Sequence, residues 1–331
     1  MAHELEMLNA NTASMAYVGQ MPWHGLGTKV NPNVSIEEML KAASLDWGVE
    51  LRTLYMQGAN GEMVETQRRA LVRDRDEKIL TYSAPGWKPL QNKDALEFFR
   101  DYTASGGAQL ETAGSLRDGR LIWALAKINK DFVVRGSNGR DEVKGYILLA
   151  SPHEVGKAIS VRTTATRVVC ANTLAVAERD IAQYSQSHCT VFNIAKAKES
   201  IQLSIDWVAK MENDANLLAS KKISEFDAGR FISRLVQPFE QGGNYKSEEQ
   251  LVETLLDHQF SRNAEFGGIL DSYLMAPGAQ PGTMWGVLNG VTHWADHAAG
   301  YKGESRLYNA WFGSRAKLKR DTYAGLLEMA A

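Results

Sequence analysis

The feature that most restricts the fold is a series of short β segments between residues 47 and 169. About seven or eight segments with apolar–polar alternation follow one another there, interrupted by a single amphipathic helix. The links are mostly short, and two contain the tight-turn pair Asn-Gly, at Asn60-Gly61 and Asn138-Gly139. Short links join antiparallel neighbours, whereas parallel strands need long crossovers. The sequence therefore predicts an antiparallel meander rather than a doubly wound parallel sheet.

From residue 171 onwards the apolar spacing changes from two residues to about 3.6, which predicts helices. Asn193 to Ser220 is expected to form one long helix, whereas Gly267 to Gly282, rich in Gly and Pro, is expected to be a linker or an exposed loop. The predicted fold class is α+β: an antiparallel β meander sheet packed with helices, followed by a mostly helical C-terminal region. The expected divisions are an N-terminal loop and short helix (1–46), an α+β core (47–192) and a helical region (193–331).

Length and composition are those of an ordinary soluble protein. The 331 residues are too many for one small core, and no run approaches the roughly 18 apolar residues of a membrane span. The net charge of −2 argues against coating nucleic acid by bulk charge, but a local basic groove remains compatible with it. Cys170 and Cys189 are the only cysteines, which excludes a disulfide framework. The N-terminus lacks a signal-peptide pattern, so we expect a cytoplasmic protein.

Residues 157–180 combine more hydrogen-bonding side chains with apolar neighbours than any other stretch, and their pattern is typical of a strand leading into a helix. Lys157, Arg162, Thr164 and Arg167 are candidate nucleic-acid contacts, because arginine forks and hydroxyls bind phosphate. In a regular strand Arg162 and Thr164 share one face and Arg167 lies on the other. A salt bridge or simple surface exposure is the alternative interpretation for either arginine.

Trp87 and Lys88 form an aromatic–basic pair in a proline-bounded loop, a modest form of the pattern found in single-strand binding proteins. The only basic run, Arg315 to Arg320, has four charges in six residues. Each phosphate neutralised contributes about −0.7 to the slope of log affinity against log salt for a single strand. So small a basic set predicts weak binding unless many subunits line up.

The junction after this strand carries Cys170 and Asn172. A helix beginning there would favour the thiolate and make Cys170 a nucleophile, whereas a small buried residue is the more common role of a cysteine. No histidine is paired with Cys170 by the sequence, and Asn172 is expected to cap the helix. Trp23 and His24, in a loop rich in glycine, fit either a plug on the core or a ligand pocket.

His293 and His297 have the spacing of two metal ligands on one helix face. A third ligand would come from Asp296, His258 or elsewhere. No glutamate follows His293, although a zinc protease of this type needs one as its base. Two partly exposed histidines beside core tryptophans are the simpler interpretation.

Several motifs spread along nearly the whole chain are specific in combination: Met1-Ala-His-Glu-Leu5, Pro22-Trp-His-Gly-Leu-Gly27, Pro89-Leu-Gln-Asn92, Arg167-Val-Val-Cys-Ala-Asn-Thr-Leu174, Ser187-His188 and Trp285-Gly-Val-Leu-Asn-Gly-Val-Thr292. Through them the chain resembles the phage/plasmid-like protein family, whose domain is one of unknown function. At Pro85-Gly-Trp-Lys88 the family pattern has a Gly followed shortly by a Tyr, and Trp87 is expected to fill the aromatic role. The resemblance implies a protein of a phage, prophage or plasmid, located in the host cytoplasm, and implies no particular activity.

An antiparallel meander backed by a helix is also similar in outline to the Rad52-like single-strand annealing proteins, a likeness of fold only. Together with the basic strand, it leads to the hypothesis of a phage-type protein that binds and anneals single-stranded DNA in recombination or replication. We expect a homo-oligomer without hydrolytic chemistry or a cofactor. The alternatives are a metal-dependent enzyme that uses the His293/His297 pair and a non-catalytic phage scaffold or host-interaction protein.

Overall fold

The computed structural model describes residues 5–19, 21–22, 25–135, 141–167, 172–174, 183–241, 243–257, 264–298, 306–311 and 313–331. Its elements are, in chain order, β1 (Met15–Val18), β2 (Thr28–Val30), α1 (Ile36–Ala42), β3 (Val49–Gln57), β4 (Met63–Arg73), β5 (Ile79–Ser83), α2 (Asn92–Glu97), α3 (Arg100–Ala104), β6 (Ala108–Leu116), β7 (Leu121–Val133), β8 (Glu142–Pro152), β9 (Ile159–Arg167), β10 (Asn172–Leu174), β11 (Gln183–Gln186), α4 (Ile194–Ser220), α5 (Glu225–Val236), α6 (Glu248–Leu256), α7 (Ala264–Met275), α8 (Met284–His293), a π-helical turn (Trp294–Ala298), α9 (Arg306–Trp311) and α10 (Ser314–Ala330). Mostly antiparallel strands precede a mainly helical C-terminal part, so the predicted α+β class is confirmed.

The main sheet contains the predicted meander. Strands β6, β7, β8 and β9 are consecutive antiparallel neighbours within the order β10-β9-β8-β7-β6-β1-β2, and β11 pairs with β9 as well. The pair β1–β2 is parallel. A separate three-stranded sheet has the order β3-β4-β5. Hairpin links of a few residues connect most neighbours, which explains why short-range turn signals predicted this topology.

Both faces of the main sheet are covered. The larger core lies on one face, where side chains from β7, β8 and β9 such as Ile122, Ile147 and Val161 pack in one cluster with residues of the N-terminal and C-terminal helices. The smaller core lies on the opposite face, where Trp123 meets Trp311 of α9 with ring centroids 5.0 Å apart. Because side chains alternate between the two faces of a strand, odd-numbered and even-numbered residues of one strand pack in different cores. In the described ranges, no helix is both long and apolar enough to span a bilayer.

Polar side chains cap the first turns of α1 and α4. Ser35 and Glu38 form a reciprocal capping box at α1. The side chain of Asn193 accepts from the backbone N–H of Lys196 and begins α4, which ends at Ser220 as predicted. Side chains thus satisfy backbone donors that the first turn of each helix leaves without partners.

Three local expectations were wrong, and a fourth was wrong in part. Residues 1–46 were expected to contain a loop and a short helix, yet β1 and β2 join the main sheet there. The stretch expected to turn helical after residue 170 includes β10 instead, and Asn172 pairs with Arg167 rather than capping a helix. In the segment Gly267 to Gly282, expected to be a linker or an exposed loop, residues 267–275 belong to α7, whereas residues 276–282 lie outside any helix or strand. The single amphipathic helix expected among the β segments of residues 47–169 is divided into α2 and α3.

Candidate functional site

A cleft of about 540 Å³ opens where the loop before α2, the first residue of β9 and the chain entering α4 meet. A volume of this size falls within the range of small-ligand pockets. Lys88, Asp94 and Glu97 bring charges to it. The remaining lining is mostly apolar and includes two prolines and one indole: Pro85, Gly86, Trp87, Pro89, Leu90, Ile159, Val191, Phe192 and Ile194.

Hydrogen bonds clamp the loop that carries Trp87. The backbone N–H of Trp87 donates to the carbonyl of Ala84 at 3.1 Å, which closes a turn, and the N–H of Lys88 donates to the carbonyl of His188 at 2.7 Å. The ring Nδ1 of His188 lies 2.9 Å from the carbonyl of Lys88. Because a carbonyl only accepts, this contact assigns the ring proton to Nδ1. The two bonds join segments that lie 100 residues apart in the chain.

Trp87 stacks on the same histidine. The two ring centroids are 4.3 Å apart and the planes are inclined by 26°. His188 is buried, whereas Trp87 is half-buried and lines the cleft. Stacking holds the indole in one orientation before any ligand arrives, which reduces the entropy lost on binding. Trp87 is therefore a preformed surface for a flat ligand.

A second histidine, His153, is fully buried near this pair. Its ring lies 5.4 Å from that of Trp47, and its Nε2 is 2.9 Å from Oδ1 of Asn92. The amide nitrogen of Asn92 donates to the carbonyls of Leu45 and Trp47 at 3.0 and 3.1 Å. Oδ1 of Asn92 is consequently the acceptor, and the network assigns the proton of His153 to Nε2.

Each of these histidines keeps one ring nitrogen that makes no hydrogen bond within the described part of the chain, Nδ1 in His153 and Nε2 in His188. Burial, with smaller contributions from the nearby His188 and Arg73, lowers the pKa of His153 to about 3. Burial also lowers the pKa of His188, although the carbonyls of Lys88 and Pro152 oppose that shift. Both rings are therefore neutral at neutral pH, because charging either one means placing a cation in a buried site.

Arg73, the cation that acts on His153, is itself only 2% exposed. Its Nε and Nη2 contact the two carboxylate oxygens of Asp76 at 2.8 and 2.6 Å, and its Nη1 contacts Glu6 at 2.5 Å. The guanidinium lies 5.0 Å from the ring centroid of Trp47. The guanidinium lowers the pKa of Asp76, mainly through this hydrogen-bonded contact. A compensated ion cluster thus supports the Trp47–His153 layer behind the cleft.

The rim of the cleft has mixed charge. Lys88 is exposed, and Asp94 and Glu97 line the same opening. Glu97 is bound by Arg100 through contacts of 2.5 and 2.7 Å, and this hydrogen bonding lowers the pKa of Glu97. Arg100 also contacts Glu37 at 2.6 Å. The cleft is therefore not a uniformly basic groove.

The residues predicted to contact nucleic acid fall into separate places. Trp87 and Lys88 line the cleft, and exposed Lys157 lies two residues before the lining residue Ile159. Arg162 lies elsewhere: it is half-buried, and its Nη1 donates to the carbonyl of Trp311 at 3.3 Å. Thr164, which lies on the same face of β9 as Arg162, is only 1% exposed.

The register of β9 against β8 is continuous from Ser160 to Arg167, without a bulge. Positions 162 and 167 therefore occupy opposite faces of the strand, as the alternation predicted. The side chain of Arg167 lies outside the described part of the chain, as do Trp23, His24 and Cys170.

His293 and His297 lie at the end of α8 and in the following π-helical turn. Their ring centroids are 5.1 Å apart, so the predicted shared face is present. Nδ1 of His293 lies 3.2 Å from the hydroxyl of Ser272, and burial lowers the pKa of His293. Asp296, one candidate third ligand, contacts the buried ammonium of Lys319 at 2.7 Å. Among the residues that the structure describes, no three His, Cys, Asp or Glu side chains form a metal-binding group, and His258 lies outside them.

Sequence reasoning missed His153 and the structural roles of Asn92 and His188. Asn92 and His188 belong to the short motifs quoted above, Pro89-Leu-Gln-Asn92 and Ser187-His188, and the fold brings both motifs to the floor of one site. The signal that the sequence offered for this site was that both residues belong to motifs shared with the family. Nothing local to residue 153 indicates its contact with a residue 61 positions away.

The model of a protein family described as Domain of unknown function (DUF932) matches residues 80–317. No curated protein and no solved structure matched the chain. The matched region includes the Trp87 loop, His153 and His188, and it ends within α10. Because it covers well over half of the sequence, the chain belongs to the DUF932 family.

Proposed function

We propose that this chain binds single-stranded DNA, with a base stacked on Trp87 in the cleft, and that it promotes strand annealing without hydrolytic chemistry. The observation that carries the proposal is the preformed indole surface: Trp87 lines a cleft of about 540 Å³ and is held by a stacked histidine. Aromatic rings that stack on bases are the sequence-tolerant part of single-strand recognition. The annealing role rests on the fold-level likeness to the Rad52-like annealing proteins, and the phage or plasmid context rests on the family resemblance.

Two lysines support the proposal by their positions. Lys88 is exposed beside Trp87, and Lys157 is exposed two residues before the cleft residue Ile159. Neutralising two phosphates gives a slope of about −1.4 in log affinity against log salt, at about −0.7 for each phosphate. Asp94 at the same opening opposes a longer phosphate track. Binding by one copy is therefore expected to be weak and only moderately sensitive to salt.

Fluorescence anisotropy with a labelled oligothymidylate tests the proposal. Removing one stacked base contact costs about 1–3 kcal/mol, so Trp87→Ala is expected to weaken binding by a factor of about 5 to 150. Trp87→Phe should keep most of the affinity, since a smaller aromatic ring still stacks. Tyr82→Ala is the matched control, because Tyr82 is an exposed aromatic residue on β5, outside the cleft.

Lys157→Gln tests the electrostatic part separately. Loss of one phosphate contact should reduce the salt slope by about 0.7. Circular dichroism of each variant checks that the fold is intact. The proposal is refuted if micromolar wild-type protein shows no salt-sensitive binding, or if Trp87→Ala binds as tightly as the wild type. A cleft that captures a short apolar peptide but no DNA would instead support a host-interaction protein.

A further inference from the structure

The hairpin formed by β3 and β4 projects as an arm without a core of its own. No residue from Arg52 to Arg69 is buried, whereas Val49 and Ala70 at the base are. The third strand, β5, pairs only with the base of β4, from Arg69 to Val72. The outer part is therefore a two-stranded ribbon, and such a ribbon is marginally stable by itself in water.

Apolar side chains occupy both faces of this arm. Met56 and Val64 are directly paired and share one face, whereas Tyr55 and Met63 belong to the other. Their exposed fractions are 57%, 42%, 54% and 67%, respectively. Four exposed large apolar residues on about 20 Å of hairpin are more than scattered surface residues and indicate an interaction surface.

The charge pattern of the arm suits a protein better than nucleic acid. Residues 50–69 contain three glutamates and three arginines, so the arm is neutral. Arg52 contacts Glu50 at 2.5 Å, and Arg69 contacts Glu65 at 2.8 Å. Two neutral arms can approach each other without net repulsion, and a polyanion gains little from such a surface.

The side chain of Gln91 blocks the outer edge of β3 at Val49. The side-chain amide of Gln91 accepts from the N–H of Val49 at 2.9 Å and donates to its carbonyl at 2.8 Å, much as a neighbouring strand would. Alternate residues of a strand direct their backbone groups to the same side, so Leu51 and Thr53 present theirs along the same edge as Val49. The register with β4 shifts between Thr53 and Tyr55, but the two extra residues lie in β4, so Tyr55 and Gln57 continue the alternation of β3. In the described part of the chain, β3 is the edge strand of its sheet and no segment pairs with this side of it.

We propose that two copies of the chain associate through this arm, with the β3 edges paired antiparallel about Leu54. This register uses the whole open edge, because Leu51 of each copy meets Gln57 of the other and Thr53 meets Tyr55. Four pairs of this kind form about eight backbone hydrogen bonds. Leu54 meets its own equivalent on the two-fold axis, as a self-complementary interface requires.

The side-chain pairs favour this register. Thr53 opposite Tyr55 is a β-branched–aromatic pair, and Leu54 opposite Leu54 is an apolar one, both of which stabilise antiparallel strands. The two three-stranded sheets become one sheet of six strands. The paired edge spans about 23 Å, a small contact, so a dimer with a dissociation constant in the micromolar range is expected.

Sedimentation velocity over a concentration series, without DNA, tests the association independently of the function of the cleft. The wild type is expected to shift from monomer to dimer with rising concentration. Thr53→Pro removes an N–H that faces outward and should leave a monomer. Tyr55→Lys, which cannot disturb the backbone in this way, should weaken dimerisation at least tenfold. A chain that is monomeric at all concentrations, or a dimer that neither substitution weakens, would overturn the proposal.

Cross-linking tests the register. The two residues at position 54 form a pair without mutual hydrogen bonds, with Cα atoms about 4.5 Å apart, which suits a disulfide. Leu54→Cys is therefore expected to cross-link under mild oxidation. Gln57→Cys is the matched control, because the two residues at position 57 lie about 20 Å apart in this register. Exposed Cys189 is replaced by Ser in both variants. Equal cross-linking of the two variants contradicts pairing about Leu54.

Discussion

Acid is expected to destabilise this protein through His153, and His153→Gln is expected to remove most of that sensitivity. The ordinary pKa of a histidine is 6.5, and burial lowers the pKa of His153 to about 3 in the folded chain. Between these values the unfolded chain binds a proton that the folded chain does not. The stabilisation is therefore complete above about pH 6.5 and falls as the pH decreases towards 3.

The size of the effect follows from the same two pKa values. Each pH unit between them costs about 1.4 kcal/mol of unfolding free energy, so about 2 kcal/mol is lost by pH 5. For a chain of 331 residues this corresponds to a decrease of about 3 °C in melting temperature. His188 adds to the decrease in the same direction, since burial lowers its pKa as well. The guanidinium of Arg73 remains charged throughout and keeps opposing a proton on His153.

Calorimetry from about pH 8 to about pH 5 tests this expectation by comparing the melting temperatures of the wild type and His153→Gln. Glutamine is chosen because its amide nitrogen can donate to Oδ1 of Asn92, as Nε2 of the histidine does. The variant measured at the upper pH gives the intrinsic cost of the substitution. Between that upper pH and pH 5, the free energy of unfolding should decrease by about 2 kcal/mol less in the variant than in the wild type. Parallel pH curves for the two proteins would refute the argument that His153 is buried in its neutral form.

Two further substitutions test the packing behind the cleft and between the helices. Arg73→Lys is expected to lower the free energy of unfolding by about 2–4 kcal/mol, because lysine keeps the charge but cannot bind both oxygens of Asp76 while it covers Trp47. A decrease in melting temperature of less than about 1 °C would contradict this expectation. In α8, Gly290→Ala places a methyl group 2.7 Å from Cα of Tyr273 and should lower the free energy of unfolding, measured in urea, by about 1–3 kcal/mol. In the control Gly86→Ala the added methyl group has no atom within 4 Å, so stability should change by less than about 0.5 kcal/mol.

The parts of the fold that were predictable have local causes. The Asn60-Gly61 turn joins β3 and β4 as predicted, with the N–H of Gly61 bonded to the carbonyl of Gly58 at 3.0 Å. Asn193 begins α4 through its own side chain. In each case the residues that determine the structure are neighbours in the chain, so that reading the sequence in order is sufficient.

The parts that were not predictable depend on distant partners. The helix α7 contains Gly267 and Gly268, and a Cβ at residue 268 would lie 2.5 Å from Nε1 of Trp294. The glycine that suggested a loop is therefore a contact point between two packed segments. Likewise, Asn172 lies in a strand because β9 offers an edge for pairing. Tertiary packing overrides local propensity in both places.

Strand parity explains why only part of the predicted site came together. Ile159 lines the cleft and belongs to the larger core, so odd-numbered positions of β9 face that side. Arg162 has the opposite parity and meets Trp311 beside the smaller core. In the proposed binding mode, a strand of DNA over Trp87 would approach Lys88 and Lys157, and the sheet would separate it from Arg162. Arg162, one of the two candidate phosphate ligands on this strand, instead joins α9 to the sheet, and the proposed DNA contact depends on Lys88, Lys157 and the indole of Trp87.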